Sequence, residues 1–323
     1  MTMKHLYLLL LPLLAMSCSK YANEVHIVSS DVPETAVEFT PYTPLNGLIE
    51  ATFIDDVPGG ILATNLYSTD YSFSYYDMTS DKITHFGRNG RGPNEFLTPM
   101  YYRQQDPNNE NMIWIHDHNL HKIDLTKINT PDLTVKTIEL KRMYGKVFYI
   151  NDTTVIGPLV EENCPFIIEN TITRTLKTLE PTLDFNISHR YAQSLPTYDH
   201  KNNRIIMTYL SRGQIDVVDT DDYSIISYFI DKVPTMAEIE KEFFGFGNAK
   251  CYGDNVYVRT VEPNENNELN NCIWVFDNDF NAITKIKLPS GVADFMIKAD
   301  KIYITRDDQE EHPIWIANLP KFD

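Results

Sequence analysis

The sequence predicts an all-β protein, a six-bladed β-propeller of four-stranded antiparallel blades carrying one short helical insertion. Three observations predict it. A strand-like unit ending in Asp or Asn returns six times along the 323 residues. The composition is 42% apolar and 12% aromatic, which supplies a sizeable core and favours strands. A glycine-rich crossing, residues 86–96, joins two strand-like runs where the chain must turn sharply.

The chain opens with a short basic region, Met1 to His5, followed by an apolar run from Leu6 to Leu14 and then Ala15-Met16-Ser17-Cys18. That run is too short to span a bilayer and has the form of an export signal. The Ser17-Cys18 junction resembles a lipoprotein signal, with Ala15 standing where such signals usually have Leu. Residues 1–17 are read as a signal peptide, Cys18 as the lipid attachment site and 18–23 as a tether; an ordinary secretory signal is the alternative. Residues 24–323 are left for the propeller. Length alone would suit two domains, and the repeat decides for one.

The repeated unit is anchored on Asp77, Asp124, Asn170, Asp219, Asp277 and Asn318, spaced by 47, 46, 49, 58 and 41 residues. Each follows a strand-like run, where its side chain can close a tight turn, and the spacing is that of four-stranded blades. A second strand precedes each Asx strand, such as Ile61 to Thr64 or Ile302 to Ile304. An outer strand follows the first five, such as Ile83 to Phe86 or Ile225 to Phe229. The sixth unit has none, because Asp323 lies only five residues beyond Asn318. The unassigned strand Glu24 to Ser29 is therefore expected to close the ring by covering that edge. The 58-residue spacing holds the helix candidate, Pro234 to Phe244, with proline suited to a first helical turn.

Loops joining second to third strands share a face with the linkers between blades. That topology gathers a candidate binding face from Arg88, Arg91 and Glu95 of the glycine-rich linker, His116 and His118, and the acidic Glu161, Glu162, Asp307 and Asp308. Further carboxylates at Glu262, Glu265, Glu268, Glu310 and Glu311 fall in the same loops. The net charge of −17, becoming −18 without residues 1–17, argues against nucleic acid and for a cationic partner, protein or small molecule. Arg88, Arg91 and Glu95 have two readings: they tie the linker to neighbouring strands, or they face the channel and bind a polar group. His116 and His118 project to one side if their strand continues that far, as a divalent metal would need. No other cofactor is predicted, and no nucleophile elbow, Walker loop, His-Glu-x-x-His or dinucleotide fingerprint occurs. Cys251 and Cys272 fall on the first and third strands of one blade, about two strand spacings apart, too far for a relaxed disulfide.

The linker Phe86-Gly87-Arg88-Asn89-Gly90-Arg91-Gly92-Pro93-Asn94-Glu95-Phe96 resembles the blade linker of the TolB-like six-bladed propeller lipoproteins, and more loosely that of NHL-repeat propellers. The resemblance implies a lipoprotein of the outer membrane whose family is largely of unassigned function. Because no recognisable catalytic set occurs, a binding or scaffolding role is the leading reading. A metal-dependent hydrolase or lyase at the channel mouth is the alternative, since some six-bladed propellers are such enzymes. Residues 19–24 carry no acidic run after Cys18, so both faces of the membrane stay open.

Overall fold

The computed structural model describes residues 24–48, 51–106, 109–159, 166–179, 194–210, 212–235, 237–238, 245–263, 269–306 and 312–322. Cys18 and the rest of 1–23 lie outside them, as do Glu161, Glu162, Cys164 and 307–311.

Three short N-terminal strands come first: β1 (Glu24–Val28), β2 (Glu34–Thr35) and β3 (Thr40–Pro41). Six sheets follow in chain order around an axis. Blade one holds β4 (Phe53–Val57), β5 (Gly60–Thr64), β6 (Tyr71–Asp77), β7 (Lys82–Asn89) and the short β8 (Glu95–Phe96). Blade two holds β9 (Met100–Asp106), β10 (Asn109–Asp117), β11 (Asn119–Asp124) and β12 (Thr134–Ile138). Blade three holds β13 (Phe148–Asn151), β14 (Thr154–Gly157), β15 (Phe166–Asn170) and β16 (Leu176–Leu179), and blade four β17 (Ser194–Asp199), β18 (Arg204–Tyr209), β19 (Gln214–Asp219) and β20 (Ile225–Ile230). Blade five holds β21 (Gly245–Tyr252), β22 (Asn255–Pro263), β23 (Leu269–Phe276) and β24 (Ala282–Lys287). Blade six has only β25 (Val292–Lys298), β26 (Lys301–Arg306) and β27 (Ile314–Asn318) from the C-terminal part of the chain. The expected six-bladed propeller is the observed fold.

The repeat works as its sequence suggests. Asp77, Asp124, Asn170 and Asp219 each end a third strand and Asp277 directly follows one, and a side-chain oxygen of each accepts the backbone N–H two residues on, at 2.7–3.0 Å. Such Asx turns stop one strand and aim the next. Between blades the core is continuous: Phe73, Phe86 and Phe96 of blade one pack with Tyr101, Ile113 and Ile123 of blade two in one buried cluster.

Ring closure differs from expectation. The outer strand of blade six is β3, antiparallel to β27, whereas β1 lies parallel to β20 as a fifth strand of blade four. Between them β2 lies parallel to β24 on blade five. Blade six adjoins blade one, so the residues nearest β4 in sequence are the ones that can cover it. The earlier residues lie along the rims of the two preceding blades. Local chemistry fixes β1 where it is: Val28 is buried against Ile206, Phe246 and Phe280, the His26 and Tyr228 rings stack at 5.3 Å, and Asp231 Oδ1 accepts the Ser30 N–H at 2.8 Å. The outermost strands of blades four and five are thus parallel additions to antiparallel four-stranded sheets.

Most of the helix candidate lies outside the described residues. Its start is defined, with the Glu238 carboxylate accepting both the N–H and the hydroxyl of Thr235 at 2.8 and 2.9 Å, half of a capping box. Cys251 and Cys272 are free thiols on β21 and β23, separated by β22.

Candidate functional site

The glycine-rich linker is built around its own residues. Gly87 takes φ +69°, and a Cβ there would lie 3.0 Å from Phe96 and 3.2 Å from Phe73, so the turn needs glycine on both counts. Phe86 and Phe96 are buried, and both rings pack on Phe73. Glu95 folds back over the loop: its Oε2 accepts the Gly92 N–H at 2.7 Å. Arg88 is exposed, with its guanidinium beside the Tyr71 ring and 3.5 Å from its hydroxyl; Arg91 is also exposed. The Arg88 contact is thus to the neighbouring strand β6, whereas that of Glu95 stays within the linker. Asn94, at φ +59°, binds across to blade two through the Thr130 and Pro131 carbonyls at 3.0 and 3.1 Å.

The turn between β10 and β11 meets this linker. Both oxygens of Asp117 accept backbone N–H groups, Leu97 at 2.9 Å and Thr98 at 2.8 Å. This confirms that linkers and second-to-third-strand turns occupy one face. It also corrects the expected histidine pair. β10 ends at Asp117, and His118 is the single turn residue, exposed at φ +55°, so the strand alternation that would align it with His116 stops short. His116 is buried on β10, where desolvation pushes its pKa down to about 4 against the opposing charge of Asp117, leaving a neutral imidazole. Its Nε2 has no hydrogen-bond partner. Among the described residues no three His, Cys, Asp or Glu side chains group as a metal site.

His116 and His118 nevertheless line one cleft of about 450 Å³ between blades two and three. Tyr102, Lys141, Arg142 and Met143 complete its chemistry, and Met143 is 57% exposed. Of the residues predicted for the binding face, the structure brings together these two. Arg88, Arg91 and Glu95 do not line it. Glu161, Glu162, Asp307 and Asp308 lie outside the described residues, as do Glu265, Glu268, Glu310 and Glu311.

A second constellation, missed from the sequence, lies on the propeller axis. The inner strands β4, β9, β21 and β25 carry Asp55, Arg103, Lys250 and Asp294. Arg103 pairs with Asp55; Lys250 Nζ reaches Asp55 at 3.0 Å, Asp294 at 3.4 Å and the Ile54 carbonyl at 3.1 Å. Asp294 also accepts the Ile54 N–H at 3.0 Å and the Asn248 amide at 3.2 Å. Burial, reinforced by the charge of Asp55, pushes the Asp294 pKa up to about 7; burial also raises that of Asp55 against the pull of Arg103. Arg103 sits at φ +60° where the register of β9 against β10 slips, an irregularity that re-aims the side chain. A signal was present: charged residues stand inside apolar inner-strand runs, as in Phe53-Ile54-Asp55-Asp56-Val57 and Val292-Ala293-Asp294-Phe295.

Comparison with known proteins agrees with this architecture. The family model described as TolB-like 6-blade propeller-like matches residues 54–300. A putative exported protein from Bacteroides fragilis superposes with a TM-score of 0.61 at 12% identity, covering 93% of this chain and 100% of that one. A member of the DUF4221 family from Bacteroides vulgatus gives 0.57 at 14% identity, covering 84% and 92%. A luciferin-regenerating enzyme gives 0.52 at 8% identity, covering 89% and 97%. At these identities the likeness is one of fold. No curated protein matches the sequence.

Proposed function

We propose a binding role for this chain, which belongs to the TolB-like 6-blade propeller-like family: it is an exported lipoprotein, anchored through Cys18 to the outer membrane, that engages a partner with its second-to-third-strand face. The observation carrying this reading is the cleft between blades two and three, with His116, whose Nε2 has no hydrogen-bond partner among the described residues, in its wall and Lys141, Arg142 and His118 exposed around it. That edge of the face is basic. The loop sequences holding Glu161, Glu162, Asp307 and Asp308 are acidic. A protein of mixed charge fits such a face better than a simple cation, and charge on both sides acts mainly on the encounter rate. Export is supported by the fold shared with a putative exported protein. No described helix is long and apolar enough to cross a membrane, so the anchor in this reading is the lipid.

The path of β1 supports an orientation. β20 runs from the hairpin face to the cleft face, and β1 is parallel to it, so Glu24 opposite Ile226 lies toward the hairpin face. Residues 18–23 extend at most about 20 Å. A lipid on Cys18 then holds the hairpin face at blade four near the bilayer and leaves the cleft face pointing away.

The test is cross-linking and capture of partners from native membranes with wild type, a Lys141→Glu/Arg142→Glu double variant and a hairpin-face control, Lys201→Glu. One captured species lost in the double variant and kept in the control is expected. A species insensitive to the cleft reversal but lost in the control would move the binding face to the other side.

A further inference from the structure

The axis contains more than a closed ion network. On the cleft side of the Asp55, Arg103, Lys250 and Asp294 belt lies a chamber of about 80 Å³. Its apolar walls include Phe53, Met100, Leu195 and Pro196. Lys146 and Tyr101 also line it, and among the described residues neither side chain finds a hydrogen-bond or ion-pair partner. The Tyr101 side chain is 5% exposed and its hydroxyl makes no hydrogen bond. Among the described residues Lys146 makes no hydrogen bond or ion pair through its side chain, whereas both carboxylates lining the chamber are engaged by the belt. Three cationic side chains thus face two carboxylates, an excess of one positive charge in a chain whose net charge is −17.

The backbone holds Lys146 in place. Gly145 donates to the Pro158 carbonyl at 2.9 Å, and Tyr144 bridges to Leu159. A Cβ on Gly157 would fall 2.0 Å from the Lys146 carbonyl, so the end of β14 approaches this closely only because it is glycine. The backbone from which the amine projects is thus fixed by the fold. A half-buried amine with no counter-charge and an unpaired buried hydroxyl are both costly, and such groups commonly mark a ligand site.

We propose that this chamber binds a small organic monocarboxylate, its carboxylate held by the Lys146 ammonium and the Tyr101 hydroxyl and its short apolar body against Phe53, Leu195 and Pro196. The chamber is well below the roughly 300–1,000 Å³ of pockets for drug-sized ligands, which restricts the occupant to a few heavy atoms. The apolar walls favour a carboxylate with a hydrocarbon end over a fully polar anion. Burial also pushes the Lys146 pKa down to about 7. The groups around it are Asp55 on β4, Tyr101, Tyr102 and Arg103 on β9, Lys250 on β21 and Asp294 on β25. Of these, Asp294 changes charge in the same range, and its ionisation opposes a bound anion as loss of the Lys146 proton does. Affinity then falls as pH rises through about 7.

The probe is propionate, measured by calorimetry on the full mature chain against its neutral counterpart propionamide and against inorganic phosphate. Expected are propionate binding with no propionamide binding, at least tenfold weaker affinity in Lys146→Met, several-fold weaker in Tyr101→Phe, and weaker binding at pH 8 than at pH 6. Where Lys146→Met fails to fold, the ¹³C signal of reductively methylated Lys146 in the otherwise native chain serves instead and should shift with propionate alone. Absence of propionate binding, unchanged affinity in Lys146→Met, a methyl signal indifferent to propionate, or a preference for phosphate would each overturn the assignment. Partner capture at the cleft is independent of these results.

Discussion

Replacing Asp294 by Asn should abolish a pH dependence of stability that the axial belt imposes on the wild type. Asp294 is 1% exposed, and its pKa rises from 3.8 to about 7 through burial and the neighbouring Asp55 charge. A carboxyl whose folded pKa is raised contributes stability fully present below its unfolded value and lost as pH climbs through the folded one. At about 1.4 kcal/mol per pH unit the whole effect is on the order of 4 kcal/mol, of which roughly 3 falls between pH 5 and pH 8. The proton belongs to the Asp55 and Asp294 pair, so the magnitude describes both carboxyls together. Asparagine keeps the shape and still accepts the Ile54 N–H, but it has no charge to desolvate. Urea unfolding of both proteins at pH 5, 6, 7 and 8 provides the measurement. The wild type should lose ground relative to Asp294→Asn by roughly 3 kcal/mol over that range. Parallel stability curves, or a gap moving the opposite way, would refute the reasoning.

Three further outcomes are expected. Cys18→Ala should move the protein from the membrane to the soluble fraction after cell breakage, and unchanged detergent-dependent retention would exclude lipid at that residue. Deleting residues 19–37 removes the added strands of blades four and five, whereas deleting 19–41 also uncovers β27; the second should cost several kcal/mol more in urea unfolding, and equal losses would contradict closure by β3. Asp117→Ala leaves the Leu97 and Thr98 N–H groups without their shared acceptor and should destabilise by about 2–4 kcal/mol, with Asp117→Asn intermediate; a loss below about 0.5 kcal/mol would show that the linker is held elsewhere.

The blades were legible because they are written locally. An Asx residue after an apolar strand closes its turn with its own side chain, so Asp77, Asp124, Asn170, Asp219 and Asp277 announce themselves without reference to the rest of the fold. The glycine linker was legible for the same reason: Gly87 and Phe96 satisfy each other within ten residues. β3 is different. Two residues, Thr40 and Pro41, carry no periodicity, and their pairing with β27 depends on where blade six ends in space. The expected strand, Glu24 to Ser29, had the right pattern for an outer strand and is one, on blade four. Its partner could not be read because a parallel pairing more than two hundred residues away leaves no local trace. His116 and His118 illustrate the limit for sites. Their spacing suggested a chelate, but a turn of one residue at His118 breaks the alternation, and only the tertiary cleft brings both to one surface.

The belt also explains how a ring with its ends at blades six and one stays shut. No peptide bond joins β25 to β4; Ile54, Ile61 and Ala63 pack there against Met296, Tyr303 and Ile314, and polar contacts cross the same seam: Asp294 accepts the Ile54 N–H, Lys250 holds Asp55 and Asp294 together, and Lys298 pairs with Asp56 while donating to the Val57 carbonyl at 3.1 Å. On the outside, β3 covers blade six and the chain runs directly into blade one. The seam is therefore secured by hydrogen bonding at the rim, by apolar packing between the blades and by charge at the axis. A buried ion network is a poor source of net stability, because desolvation cancels much of the attraction, but it penalises any register other than the one that pairs every charge. That penalty suits a position where six similar blades could otherwise close in a shifted arrangement. It also accounts for the placement of Lys146. A belt that consumes Asp55 and Asp294 leaves no carboxylate lining the chamber to neutralise that amine, and the fold that fixes the seam thereby leaves one positive charge facing a chamber whose walls include Phe53, Leu195 and Pro196.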